Sequence, residues 1–113
     1  MKKPEWLSQL RRGVMEYASL LLISQQSTYG YELITALNKH PILSTAEGTL
    51  YPLLKRLEKD GLISTTWRET TPGVPPRKYY DITPDGTAFL EEMKNEWTNL
   101  ISAIKGLQEK ETN

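Results

Sequence analysis

From Trp6 to Ile23 the apolar residues Trp6, Leu7, Leu10, Val14, Ala18, Leu21 and Leu22 recur at spacings of three and four, which predicts an amphipathic first helix. Ser24 to Thr28 is polar and reads as a turn. A shorter helix follows over Tyr29 to Lys39 with Leu33, Ile34 and Leu37 inward, and Asn38 to Leu43, containing Pro41, ends it. Leu50, Leu53, Leu54 and Leu57 form the buried stripe of a third helix. Ser44 and Glu47 have the spacing of a capping box, so this helix is expected to start near Thr45, and Asp60-Gly61 stops it. Pro52 inside it removes one backbone bond to Gly48, which predicts a tolerated bend.

Beyond Gly61 the pattern changes. Leu62 to Arg68 and Arg77 to Ile82 are rich in β-branched and aromatic residues and are separated by a segment holding Pro72, Gly73, Pro75 and Pro76, the signature of a hairpin with a wide tip. Thr83-Pro84 supplies a cap and a first-turn proline for a last helix running toward the C-terminus. In it Met93, Trp97, Leu100, Ile104 and Leu107 are spaced four, three, four, three, a seam that wants a partner helix. Either helix one of the same chain or a second copy can fill that role, and in a homodimer both can. The fold class expected is mainly α with a small β-hairpin: a winged helix-turn-helix over residues 1–82 and a long C-terminal dimerisation helix over 83–113, together one compact unit.

Composition changes this picture in three places. There is no cysteine, which removes disulfides, thiolate metal sites and thiol nucleophiles and fits a cytoplasmic protein. The single histidine, His40, sits in a Lys-His-Pro turn, and there is no spaced acidic cluster, so neither catalytic residues, a metal site nor a cofactor is expected. The longest apolar run, Leu20 to Ile23, is far too short to cross a bilayer, and Met1-Lys2-Lys3 leads into no secretory segment.

Net charge is zero, which argues against a nucleic-acid binder until its distribution is considered. Residues 1–82 hold eleven Lys/Arg against eight Asp/Glu, and residues 83–113 hold three against six, so a body of +3 precedes a segment of −3. A short helix that is basic on one side, preceded by a helix-turn and followed by a hairpin, is the order in which a reading helix enters the major groove while a wing reaches the adjacent backbone. Thr45, Thr49, Tyr51, Lys55 and Arg56 on or near the third helix, Tyr29 and Tyr31 on the second, and Arg77 and Lys78 on the wing are the candidate contacts to double-stranded DNA. The alternative is a solvated face for the cations and core or sheet packing for the tyrosines, with Tyr80 sharing the parity of Ile82. A protein-association module built on the same fold is the second functional reading, and the zero net charge supports it.

The run Gly48-Thr49-Leu50-Tyr51-Pro52-Leu53-Leu54-Lys55-Arg56-Leu57-Glu58-Lys59-Asp60-Gly61-Leu62-Ile63, followed by Arg77-Lys78-Tyr79-Tyr80-Asp81-Ile82-Thr83 and Gly86, resembles the PadR family of transcriptional regulators. Gly13 to Glu16 and Tyr29-Gly30-Tyr31-Glu32-Leu33 extend the likeness to about residues 8–105, and the single last helix resembles the short-chain subfamily. The resemblance implies a dimeric repressor that binds a two-fold symmetric operator, dimerises through its C-terminal helix and answers to an effector. In some short members a tryptophan of that helix stacks planar aromatic ligands at the dimer interface, and Trp97 looks similarly placed. Leu10, Val14, Met93, Trp97, Leu100, Ile104 and Leu107 are the residues this implies for the effector and dimer interface. From spacing alone Trp97 is equally readable as an ordinary seam residue. The Val74-Pro75-Pro76 wing tip departs from the small or charged tips of other members.

Overall fold

The computed structural model describes residues 5–112. Helix α1 spans Glu5–Gln25, strand β1 Thr28–Tyr29, helix α2 Gly30–Asn38, helix α3 Glu47–Lys59, strands β2 Ile63–Arg68 and β3 Arg77–Ile82, and helix α4 Pro84–Thr112, with a 3-10 turn at Pro41–Leu43 between α2 and α3. The expected order of helices and hairpin is present, and the hairpin gains a third strand. The sheet is antiparallel in the order β1-β3-β2, with Thr28 opposite Tyr80 and Tyr29 opposite Tyr79. Thr28 and Tyr29, expected within a turn and a helix, are therefore an edge strand, and α2 starts one residue later. Its first turn is held by Glu32, whose carboxylate accepts from the Tyr29 N–H at 3.3 Å and the Thr28 hydroxyl at 3.2 Å.

The core forms where three faces converge. Met15, Leu20 and Ile23 of α1, Leu33 and Leu37 of α2, and the four leucines of α3 close on Ile63, Tyr80 and Leu90. Removing each such side chain from water contributes roughly 1.5–3 kcal/mol, so the α3 stripe is the densest single source of folding energy here. Cross-strand parity does the rest: Ile63, Thr65 and Trp67 share a face with Ile82, Tyr80 and Lys78, while Arg68 and Thr66 share the opposite face with Arg77 and Tyr79.

Both ends of α3 are informative. Its start is not the Ser44–Glu47 capping box: the cap is Ala46, without a side-chain cap bond, and the helix begins at Glu47. Ser44 instead closes the preceding 3-10 turn through its N–H, and the Asn38 side chain accepts from the Thr45 N–H at 2.9 Å, which draws these residues out of helical geometry. The helix continues through Pro52. It ends with Gly61 at φ +78°, the Gly61 N–H bonding Glu58 and the Leu62 N–H bonding Leu57, a Schellman stop that needs the left-handed backbone glycine tolerates. The chain then enters β2 directly.

Thr83 joins the wing to α4. Its hydroxyl donates to the Gly61 carbonyl at 2.6 Å and accepts from the Gly86 N–H at 3.0 Å, capping α4 as its sequence suggests. The product is a winged helix-turn-helix with one long helix appended. No helix among the described residues is long and apolar enough to cross a membrane.

Candidate nucleic-acid interface

The first turn of α2, the outer flank of α3 and the wing meet in an open concavity of about 390 Å³ lined by Tyr29, Gly30, Tyr31, Tyr51, Trp67, Arg77, Lys78 and Tyr80. Five of the nine candidate DNA contacts are thus brought together: Tyr29, Tyr31, Tyr51, Arg77 and Lys78. The lining is aromatic at its centre and cationic at its rim. Tyr31 is 68% exposed and Trp67 69%, a poor disposition for core residues but a suitable one for a surface that closes on a partner.

Glycine makes this concavity. A Cβ on Gly30 would lie 2.4 Å from the Tyr51 hydroxyl oxygen and 2.7–2.8 Å from its ring carbons, so only a residue without one lets the Tyr51 ring lie across the start of α2. Lys55 stands one turn beyond Tyr51 on α3 and, with Lys59, is exposed.

The wing's cations are held in register by aromatic faces. The Arg77 guanidinium lies 4.6 Å from the Tyr29 ring centre, Tyr29 meets Tyr79 edge-on at 5.4 Å, and Arg68 lies 4.7 Å from Tyr79. Such stacking restrains the Arg77 guanidinium while leaving its N–H groups available, whereas Arg68 also donates to the Asp81 carboxylate at 3.3 Å. Lys78 comes within 4.0 Å of the Glu58 carboxylate, which also accepts from the Thr65 hydroxyl at 2.8 Å, tying the wing to α3. Tyr80 lies beneath, and burial first, then the nearby Tyr51 and Glu58, raises its phenol above the ordinary value of 10.0.

The remaining candidates sit elsewhere. Thr45, Thr49 and Arg56 turn toward α1 and line a separate cavity, where Arg56 makes an ion pair with Glu16. Charge sign and helix position identify Arg56 as basic, but its acidic partner lies 40 residues away and is invisible to local spacing. Trp67 and Gly30 were missed among the candidates. The two-residue alternation of β2 places Trp67 beside Lys78, and that was the available signal.

On the opposite side of α1 a second, apolar groove of about 800 Å³ runs between α1 and α4. Leu10, Val14, Trp97, Leu100 and Ile104 line it, together with Leu21 of the helix-one stripe and with Tyr17, Ile42 and Ile101, which the sequence did not single out. Trp97 packs against Tyr17 with ring centres 5.6 Å apart. Met93 is partly buried against the core and lines an adjoining hollow of about 340 Å³, while Leu107 is exposed past the groove's lining. His40 is exposed at the groove's edge, and no group of three or more potential metal ligands occurs among the described residues.

An aromatic and basic concavity built by a helix-turn-helix and its wing defines the class: a winged-helix, DNA-binding transcriptional regulator rather than an enzyme. The chain belongs to the PadR-like family of transcriptional regulators, whose sequence model matches residues 20–92. It is similar to the crystal structure of a PadR-like transcriptional regulator from Bacillus cereus, 44% identical over 88% of this chain and 95% of that one, with a TM-score of 0.79. A PadR family transcriptional regulator from Eggerthella lenta is 35% identical over 90% of this chain and 88% of that one, at a TM-score of 0.78. A protein of Lysinibacillus sphaericus is 35% identical over 86% of this chain and 90% of its own.

Proposed function

We propose that the protein is a homodimeric repressor that binds a two-fold symmetric operator and is released by a planar aromatic effector held between the two copies. Residues 1–82 read the DNA and residues 83–113 dimerise. The observation that carries the DNA reading is the shared concavity of Tyr31, Tyr51, Arg77 and Lys78 at the junction of α2, α3 and wing. Lys55 and Lys59 extend it along α3 as phosphate contacts, with tyrosine hydroxyls available to phosphate or base edges. The apolar groove supports the dimer and the effector: its volume lies within the range of small-molecule sites, and the Trp97 and Tyr17 rings supply flat stacking surfaces.

Fluorescence anisotropy with the promoter region beside the protein's own gene, in excess unrelated DNA, tests the first part. A discrete complex whose affinity falls on the order of 10³-fold between about 50 and 200 mM salt is expected, and Lys55→Ala should weaken it. A flat salt response with a folded dimer would move the function to protein association. Quenching of tryptophan fluorescence by acridine, lost in Trp97→Ala, tests the effector site, and quenching that survives that substitution would place the ligand elsewhere.

A further inference from the structure

A cavity of about 490 Å³ opens between the first turns of α1 and the start of α3, and its chemistry differs from that of both surfaces above. Three arginines line it, Arg11, Arg12 and Arg56. The hydroxyl-bearing residues Ser8, Ser44, Thr45 and Thr49 stand around them, and no carboxylate belongs to the lining. Only Arg56 among the three makes an ion pair with another described residue, through Glu16 outside the cavity. Arg11 is fixed by donation from its terminal nitrogen to the Ser44 carbonyl, yet its Nε is shut from solvent without a hydrogen-bond partner. The start of α3 also borders the cavity, where Ala46 supplies no side-chain acceptor, so its first backbone N–H groups lack a side-chain cap, with Glu47 the acidic residue of the first turn.

Convergent arginines, two of them without an ion pair among the described residues, call for an anion, and the guanidinium fork matches the paired oxygens of a phosphate. We propose that this cavity is a phosphate-binding site, filled by a phosphodiester of the operator backbone or by the phosphate of a small phosphomonoester such as a nucleotide. Its volume, larger than one phosphate and within the range of small-molecule pockets, admits the second source. A phosphate there bridges α1, which carries the apolar groove on its other flank, to α3, which carries the reading residues. The backbone source rests on the DNA-binding reading above, whereas the free-phosphate source does not.

Calorimetric titration of the full chain with AMP and with inorganic pyrophosphate, beside operator titrations over a salt series, tests the site in wild type, Arg12→Gln and Lys105→Gln. Arg12 is exposed, so its replacement leaves the fold intact, and Lys105→Gln removes the same charge from exposed α4. Binding of AMP or pyrophosphate that weakens tenfold or more in Arg12→Gln alone assigns the free phosphate. No free-anion binding, with the slope of log K against log salt flattened by about 0.9 in Arg12→Gln alone, assigns one backbone phosphate. Wild-type slope in Arg12→Gln without free-anion binding overturns the site and leaves operator binding standing. If wild type binds no DNA, the reading under test above fails, and the free-anion titration alone decides this one.

Discussion

Helices α3 and α4 both carry apolar stripes at helical spacings of three and four, and the fold treats them in opposite ways. Leu54 and Leu50 of α3 are 0% and 1% exposed, whereas Ile104 and Leu107 of α4 are 45% and 64% exposed. The difference is one of neighbours. The α3 stripe is met within the chain by α1, α2 and the sheet, while α4 runs on for about six turns past Leu90, its last buried residue among those described, with α1 as the helix beside it. Periodicity therefore reports that a face must be covered and says nothing of whether the cover is supplied in cis. The seam left open from Leu100 to Leu107 fits the proposed assembly, and the buried stripe is a statement about folding.

Substitutions on the two stripes should separate accordingly. Leu54→Ala is expected to have the largest effect, a loss of about 2–5 kcal/mol in unfolding free energy by denaturant titration, at any protein concentration. Ile104→Glu should instead weaken association by about 2 kcal/mol or more in sedimentation velocity while far-UV circular dichroism stays that of a folded chain. If Ile104→Glu unfolds the protein as Leu54→Ala does, the contrast between the stripes collapses.

Tyr80→Phe refines the buried side with the smallest effect. Because burial raises the phenol's value in the folded state, its stabilising contribution is complete below pH 10 and is lost as pH rises through the folded value. Wild type should lose stability above pH 10 more steeply than Tyr80→Phe, by at most about 1.4 kcal/mol per pH unit, and coincident alkaline curves would mean that the ring ionises as freely as in the unfolded chain.

What could be read in advance follows the range of the interaction responsible. Order and type of the main elements rest on local periodicity, and the α3 stripe, the Gly61 stop and the Thr83 cap all appear where their spacing puts them. The failures are long-range. Strand β1 exists because Thr28 and Tyr29 pair with Tyr80 and Tyr79, 52 and 50 positions later, which no property of a two-residue segment announces. The Ser44 cap failed because Asn38 and the 3-10 turn compete for the same backbone. The candidate DNA contacts divided between two cavities because helix α3 presents Tyr51 and Arg56 to opposite flanks, a consequence of 100° per residue that becomes meaningful only once the flanks have occupants.

The seating of Tyr51 on Gly30 ties two chain positions into one unit of variation. Whatever stands at position 51 must be flat enough to lie on bare backbone, and whatever stands at position 30 must be bare as long as a ring lies there. In descendants of this chain, then, position 30 is tied to position 51: a side chain gained at 30 demands a displaced or smaller residue at 51, and with it a differently shaped concavity. The pair is a place where the shape of the concavity can change by two coordinated replacements, with the leucines beneath left untouched.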